Sequence, residues 1–297
     1  MKRTLLLSLF LLVLCLSALG KGRAADEYRI MTCNIRITGL DDDAPYPERV
    51  WENRRDLCVG TVLKRKPDVI CLQEVIYDSY AYFKEKCKDY MAFGFEGPEM
   101  DPYTEGYHFI GKNVILFSKK RFEFVSAGGY WLSEEPLIGG SVSWDTNRAR
   151  HCNWVRVRDR KTGKEMRFLD THLDHKVDSA RREQVKIIVK ECAQYAEDFP
   201  QVLCGDFNSG LQNYAIQYLH AQPGWREMYE SMHGMGEAGF SAHAFNGVDY
   251  KPKRNRRIDF IFYRGGIEVL DAQYVKDHVG RMYPSDHFFI QADFKLR

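Results

Sequence analysis

Five short apolar runs, spaced from one end of the chain to the other, each carry a polar residue that is costly to bury. Residues 30–34 close on Asn34, 69–74 on Glu74, 168–172 on His172, and 202–206 on Asp206, with Asn208 two positions later; residues 258–262 enclose Asp259. A further pair, Asp286 and His287, precedes the last alternating stretch. These runs have the length and continuity of buried strands. A carboxylate, amide or imidazole at the end of such a run must be paired, hydrogen-bonded or bound to a cation. One shared site at the rim of a packed sheet would satisfy all of them together and would make the body a single domain. The set is rich in carboxylate and amide oxygens, which suit a hard divalent cation. Its histidines suit proton transfer or phosphate contact.

The 297 residues are 44% hydrophobic and include ten prolines, a composition that fits an ordinary globular body. No Gly/Ser- or Pro-rich linker and no fixed-period repeat divides them. The N-terminus has the form of a targeting segment. Lys2 and Arg3 precede an apolar stretch over 5–14, Ala18-Leu19-Gly20 offers a small-x-small cut, and Ala24-Ala25 offers a second. The stretch is short for a membrane span of ~20 residues, and the bulky Leu14 before Cys15 disfavours a lipid anchor there. The expected organisation is a signal peptide over 1–25 and one domain over 26–297, exported to the periplasm or beyond. No integral membrane association after cleavage and no stable protein partner are expected, and the protein is read as a monomer.

Without Lys2, Arg3, Lys21 and Arg23, the 43 basic residues fall to 39 against 41 acidic ones, so the formal charge of +2 becomes −2. That balance gives no overall pull toward a long phosphate polymer. Basic residues do cluster locally. Arg156, Arg158, Arg160, Lys161 and Lys164 surround a turn, whereas Lys251, Lys253, Arg254, Arg256 and Arg257 run into Asp259. The first group reads as a solvated turn, and Arg257 in the second as a contact to an anionic substrate. Cys33, Cys71 and Cys204 sit inside apolar runs as small core residues. A disulfide framework is not indicated, although a Cys58–Cys87 pair stays open in an oxidising compartment.

Helical spacing of Val50, Leu57, Cys58, Thr61 and Val62 predicts a helix over 48–66, ended by Pro67; Val185, Ile188, Val189, Cys192 and Tyr195 predict another over 178–196. Two hairpins are expected, one turning at Ser118-Lys119-Lys120-Arg121 and one at Lys161-Thr162-Gly163-Lys164. Alternation from Phe288 to Lys295 predicts a half-buried strand. Strands outnumber helices and hairpins outnumber crossovers. Two packed sheets covered by helices fit that pattern better than a parallel doubly wound fold.

Thr32-Cys33-Asn34, Leu72-Gln73-Glu74, Thr171-His172-Leu173-Asp174, Gly205-Asp206-Phe207-Asn208, Arg257-Ile258-Asp259-Phe260-Ile261 and Ser285-Asp286-His287 resemble, in order, the motifs of the endonuclease/exonuclease/phosphatase superfamily. The phrasing Trp131-Leu132-Ser133, Trp144-Asp145 and Thr171-His172-Leu173-Asp174-His175 is similar to its exported bacterial hydrolases and, beyond them, to its deadenylase-like branch. The resemblance implies an α+β fold, a four-layer α/β/β/α sandwich of two mostly antiparallel sheets. It also implies Mg²⁺- or Mn²⁺-dependent hydrolysis of phosphodiester or phosphomonoester bonds by in-line attack of water.

Chemistry and resemblance together suggest roles. Glu74, with Asn34 and Asp286, would hold the metal. Asp206 and Asn208 would place or deprotonate the water. His287, oriented by Asp286, would be general base or phosphate contact. His172, held by Asp259, would touch a phosphoryl oxygen or protonate the leaving group. Asn147, Arg150 and His151 lie in a polar stretch before a strand, and Glu105 and His243 fall where the exported branch carries substrate-side residues; all five are candidate substrate contacts. The expected substrate is a small phosphoester or a short nucleic acid. A deadenylase-like 3′–5′ exoribonuclease is one alternative, and a binding module that has lost the chemistry is another.

Overall fold

The computed structural model describes residues 23–104, 110–235, 239–252 and 256–297; the residues before Arg23 lie outside them. Strands β1 (Glu27–Asn34), β2 (Val69–Val75), β3 (Tyr90–Phe93) and β4 (Lys112–Ser118) join β11 (Ile267–Val275) and β12 (Phe289–Leu296) in one sheet, ordered β11-β12-β1-β2-β4-β3. The second sheet holds β5 (Phe122–Trp131), β6 (His151–Asp159), β7 (Glu165–His172), β8 (Gln201–Asp206), β9 (Arg226–Glu227) and β10 (Asp259–Arg264), ordered β5-β6-β7-β8-β10-β9. Each sheet has one parallel pair, β1 with β2 and β7 with β8, amid antiparallel neighbours.

A helix makes the crossover in each parallel pair: α1 (Trp51–Leu63) between β1 and β2, and α3 (Asp178–Cys192) between β7 and β8. Trp51, Cys58, Val59 and Val62 form the buried stripe of α1, which packs with α2 (Tyr77–Lys86) on the outer face of the first sheet. Val185, Ile188 and Cys192 do the same for α3, which lies with α4 (Tyr214–Ala221) on the outer face of the second. Between the sheets, Ile30, Val69 and Ile115 meet Phe168, Val202 and Ile261. The layers are therefore α/β/β/α, as expected. A short helix, α5 (Met228–His233), packs beside β9, β10 and β11.

Both long helices are shorter than their apolar spacing suggested, and they begin or end beside the residues expected. The turn at Gly163 is a hairpin, with Gly163 at φ 71° and its N–H on the Asp159 carbonyl at 2.8 Å. The segment 118–121 is not. It carries the chain from β4 in one sheet to β5 in the other. A tight hairpin wants positive φ in its turn, and none of these four residues adopts it. Phe117 and Phe122 both drop into the inter-sheet core instead, and Arg121 anchors the arch on Asp159 at 2.8 Å. All seven described cysteines are free and buried, so no Cys58–Cys87 bond is formed.

The parallel pairs decide where the polar residues go. β1 ends on Asn34, β7 on His172 and β8 on Asp206, while Glu74 is the penultimate residue of β2. β10, antiparallel to β8, begins at Asp259 opposite Asp206. All lie at one end of the sandwich, the carboxyl ends of parallel strands, where open sheets bind ligands.

Candidate active site

Two β-strand rules bring the side chains together. Alternation sends Asn34, His172, Asp206 and Asp259 into the gap between the sheets, continuing the rows of Ile30, Phe168, Val202 and Ile261 below them. A β-bulge between Leu72 and Val75 breaks the alternation in β2 and puts Glu74 at φ 64°, which turns its carboxylate into the same space. Arg36 (φ 62°) and Asn208 (φ 47°) are also left-handed. For residues other than glycine such backbone is costly and is characteristic of functional sites.

Asn34 lies between the two sheets. Its Nδ2 donates to Glu74 Oε1 and to Asp206 Oδ2, both at 3.0 Å. Expected to offer an oxygen, it turns its amide nitrogen to the carboxylates and its Oδ1 to the Arg36 N–H. Glu74 also accepts the Ile37 N–H at 2.7 Å, and Asp206 Oδ1 the Asn208 N–H at 2.8 Å.

The histidines have different partners from those expected. His287 Nδ1 bonds Asp259 Oδ2 at 2.8 Å, so Asp259 orients His287 and not His172. Asp286 faces Arg36, with 3.5 Å between Oδ2 and Nη1. Burial opposes charge on His287, but the carboxylates of Asp259, Asp286 and Asp206 outweigh it and raise its pKa to about 10. His172 Nε2 takes one hydrogen of the Asn208 amide at 2.8 Å, and the other goes to the Leu173 carbonyl. The His172 proton must therefore sit on Nδ1, which is buried without a partner. Burial and then Arg150 hold its pKa well below the usual histidine range. His172 is thus neutral.

Burial, and next the Asp259 carboxylate, push Asp206 up to about 7. Two carboxylates facing each other across antiparallel strands repel, and Asp259 Oδ1 is buried with no partner. Ligand atoms of Glu74, His172 and Asp206 lie within 4.8 Å of one another, as do those of Asp206, Asp259 and His287. A crowded, oxygen-rich and under-neutralised set fits a hard divalent cation.

The remaining candidates divide. Arg150 is buried beside the carboxylates, whose charges reach it, and its Nη2 bonds His175 Nδ1 at 3.3 Å. His151 is buried next to it and accepts the Asn113 N–H on Nε2. Asn147 is exposed on the rim loop, and Glu105 lies outside the described residues. His243 is fully buried beneath the loop bearing His287, with Nδ1 accepting the Gly247 N–H. His243 packs its ring on Phe288 and Tyr283 with its Nε2 buried without a partner, whereas the buried Arg257 guanidinium is held on two interior carboxylates, Glu227 and Glu230. Sequence reasoning missed Arg36, Gln73 and Asp170. Gln73 Nε2 donates to Asp170 Oδ1 at 2.6 Å directly beneath the site. The only signal for Asp170 was a charge inside an apolar run.

Residues 31–287 match the model of the Endonuclease/Exonuclease/phosphatase family. The chain belongs to that family. Its members are hydrolases of phosphoester bonds and generally depend on a divalent metal. The chain is similar to Nocturnin of Drosophila melanogaster, 24% identical over 91% of this chain and 47% of that protein. It is 21% identical to the CCR4-Not complex 3′-5′-exoribonuclease subunit Ccr4 of Schizosaccharomyces pombe, over 83% of this chain and 45% of that one. It therefore spans about half the length of these relatives. A mannosyl-6-phosphatase from Bacteroides thetaiotaomicron shares the fold, with a TM-score of 0.77 and 22% identity over 90% of this chain and 99% of that one.

Proposed function

We propose that this family member is a divalent-metal-dependent phosphoesterase that cleaves a small phosphoester by in-line attack of water. The observation that carries the reading is Asp206 set against Asp259 and His287, within reach of Glu74, at one rim. Glu74 and Asp206, spaced by Asn34, would hold Mg²⁺ or Mn²⁺, which when bound supplies charge neutralisation at the phosphoryl group. Asp206, braced by the Asn208 N–H, places the water and takes its proton. The His287 imidazolium, aligned by Asp259, contacts a phosphoryl oxygen. Neutral His172, held through Nε2 by Asn208, borders the site beside Asp206. The targeting-type segment read over 1–25 supports an exported enzyme.

A 3′–5′ exoribonuclease is the second reading, favoured by the similarity to Ccr4; the mature charge weighs against a long polymer. The test is product release by the chain from Asp26 onward, with Mg²⁺, Mn²⁺ or EDTA, against sugar phosphates, p-nitrophenyl mono- and diesters and single-stranded RNA. Turnover should require metal, and Asp259→Asn should lower kcat/KM on the order of 10²–10³-fold while Tm holds. Turnover indifferent to EDTA would sink the reading. Metal binding, seen as a rise in Tm, without turnover of any ester would favour a binding module.

A further inference from the structure

Arg150 is 7% exposed, and its charge is under-matched. Its Nη2 meets His175 Nδ1 at 3.3 Å, and its Nε is buried with no partner. Asp174, Glu74 and Asp206 are the acids whose charge reaches it, yet among the described residues none forms an ion pair with it within 4.0 Å. Three other buried arginines, by contrast, have strong partners for their terminal nitrogens, although the Nε of Arg167 and of Arg257 makes no hydrogen bond either. Arg54 donates to the carbonyls of Arg49, Ile35, Pro284 and Arg36. Arg167 is held by Glu191 and Gln201, and Arg257 by Glu227 and Glu230. Burial pulls the Arg150 pKa down, as it must where no counter-ion offsets desolvation. His175, pushed down to about 4 by burial and then by Arg150, is a neutral acceptor that aligns the guanidinium without cancelling its charge.

A buried guanidinium left in this state is costly. Its planar fork matches two oxygens of one phosphate. A phosphodiester has two non-bridging oxygens and one negative charge. A phosphomonoester has three, and carries two charges once its second proton is lost near pH ~6. If one oxygen faces the Glu74–Asp206 side of the site, only the monoester keeps two for the fork. We propose that Arg150, positioned by His175, is the phosphate clamp of this site, and that the substrate is a phosphomonoester taken as its dianion. This rests on the phosphoesterase reading above. In the reaction a water oxygen bonds to phosphorus and the ester P–O bond breaks. The alcohol leaves with a proton, and inorganic phosphate is the second product.

The experiment compares p-nitrophenyl phosphate with bis-p-nitrophenyl phosphate, in Mn²⁺, for wild type, Arg150→Gln and His175→Gln. Wild type should favour the monoester, with kcat/KM rising through pH ~6 as the substrate loses its second proton. Arg150→Gln should lose about 10²-fold on the monoester and far less on the diester. His175→Gln should raise KM for the monoester more than it lowers kcat, as expected of a positioning residue. Inorganic phosphate with Mn²⁺ should raise the Tm of wild type and not of Arg150→Gln, which separates a lost clamp from a lost fold. Equal losses on both esters, or a preference for the diester, would overturn the proposal. Metal-dependent cleavage of the diester alone would do so while leaving the phosphoesterase reading intact; no metal-dependent turnover of either ester would remove both.

Discussion

Asp206 is the residue on which the electrostatics of the site turn. Its pKa of about 7 in the folded, metal-free protein lies above its unfolded value, so its contribution to stability is fully present below pH ~4 and is lost as pH rises through about 7. His287, raised to about 10, acts in the same direction: its contribution is present below pH ~6.5 and lost as pH rises through about 10. In EDTA, the wild type should therefore lose stability relative to Asp206→Asn between pH 4 and 7, by on the order of 3 kcal/mol. Binding a cation at Asp206 displaces its proton, so the rise in Tm caused by Mn²⁺ should grow over the same window and be blunted in Asp206→Asn. Thermal melts at four or five pH values, with and without Mn²⁺, give the answer; a flat metal effect would contradict it. The positions of these residues were legible because each interrupts or closes an apolar run. Their partners were not. Asp259 orients His287 because β10 lies on the far side of β8 from β7, so His172 has Asp206 and Asn208 as its neighbours instead, and strand order is not written in spacing.

At the level of elements, the β7–β8 pair is where fold and site depend on one another. Gly205 lets the two strands approach: a Cβ added there would stand 2.1 Å from the Thr171 carbonyl oxygen, a backbone atom with no freedom to yield. Gly205→Ala should cost about 3 kcal/mol or more and should displace Asp206 and His172 from their register. Tm and activity should fall together, and a variant that keeps wild-type activity and Tm would show that the close approach is not needed. The glycine drew notice in the sequence only as part of a Gly-Asp-Phe-Asn turn, since nothing local reveals the carbonyl across the gap. The arch at 118–121 failed to be read for a related reason. Two apolar runs joined by four polar residues look alike whether they pair with each other or enter facing sheets, and only the shared burial of Phe117 and Phe122 between those sheets separates the cases.

Across the whole molecule, the seam between the sheets changes character along its length. At one end it is aromatic, with Tyr28, Phe122 and Phe294 in contact and the Arg121–Asp159 pair closing its edge. Nearer the site it becomes polar, as Gln73 Nε2 bridges Thr32 Oγ1 and Asp170 Oδ1, and at the rim it is charged. Asp170 is the step between the last two states. It is fully buried, its Oδ2 has no partner, and burial drives its pKa well above the usual carboxylate range even though Gln73 and the Thr171 and Leu72 N–H groups pull it down. The folded protein therefore holds this acid in its neutral form at pH values where the unfolded chain has lost the proton. Stability from this group is complete below pH ~4 and drains at about 1.4 kcal/mol per pH unit until the folded pKa is reached. Asp170→Asn keeps the shape and the Gln73 contact but has no proton to lose. Its stability relative to wild type should climb with pH at that slope, from near zero at pH 4, as measured by urea unfolding at fixed metal concentration. A gap independent of pH would mean that Asp170 is ionised in the fold, with a cation or a water meeting its Oδ2. If the slope appears while activity falls, the chain retains a destabilising acid beneath Asn34 and Glu74 because the rim above requires it.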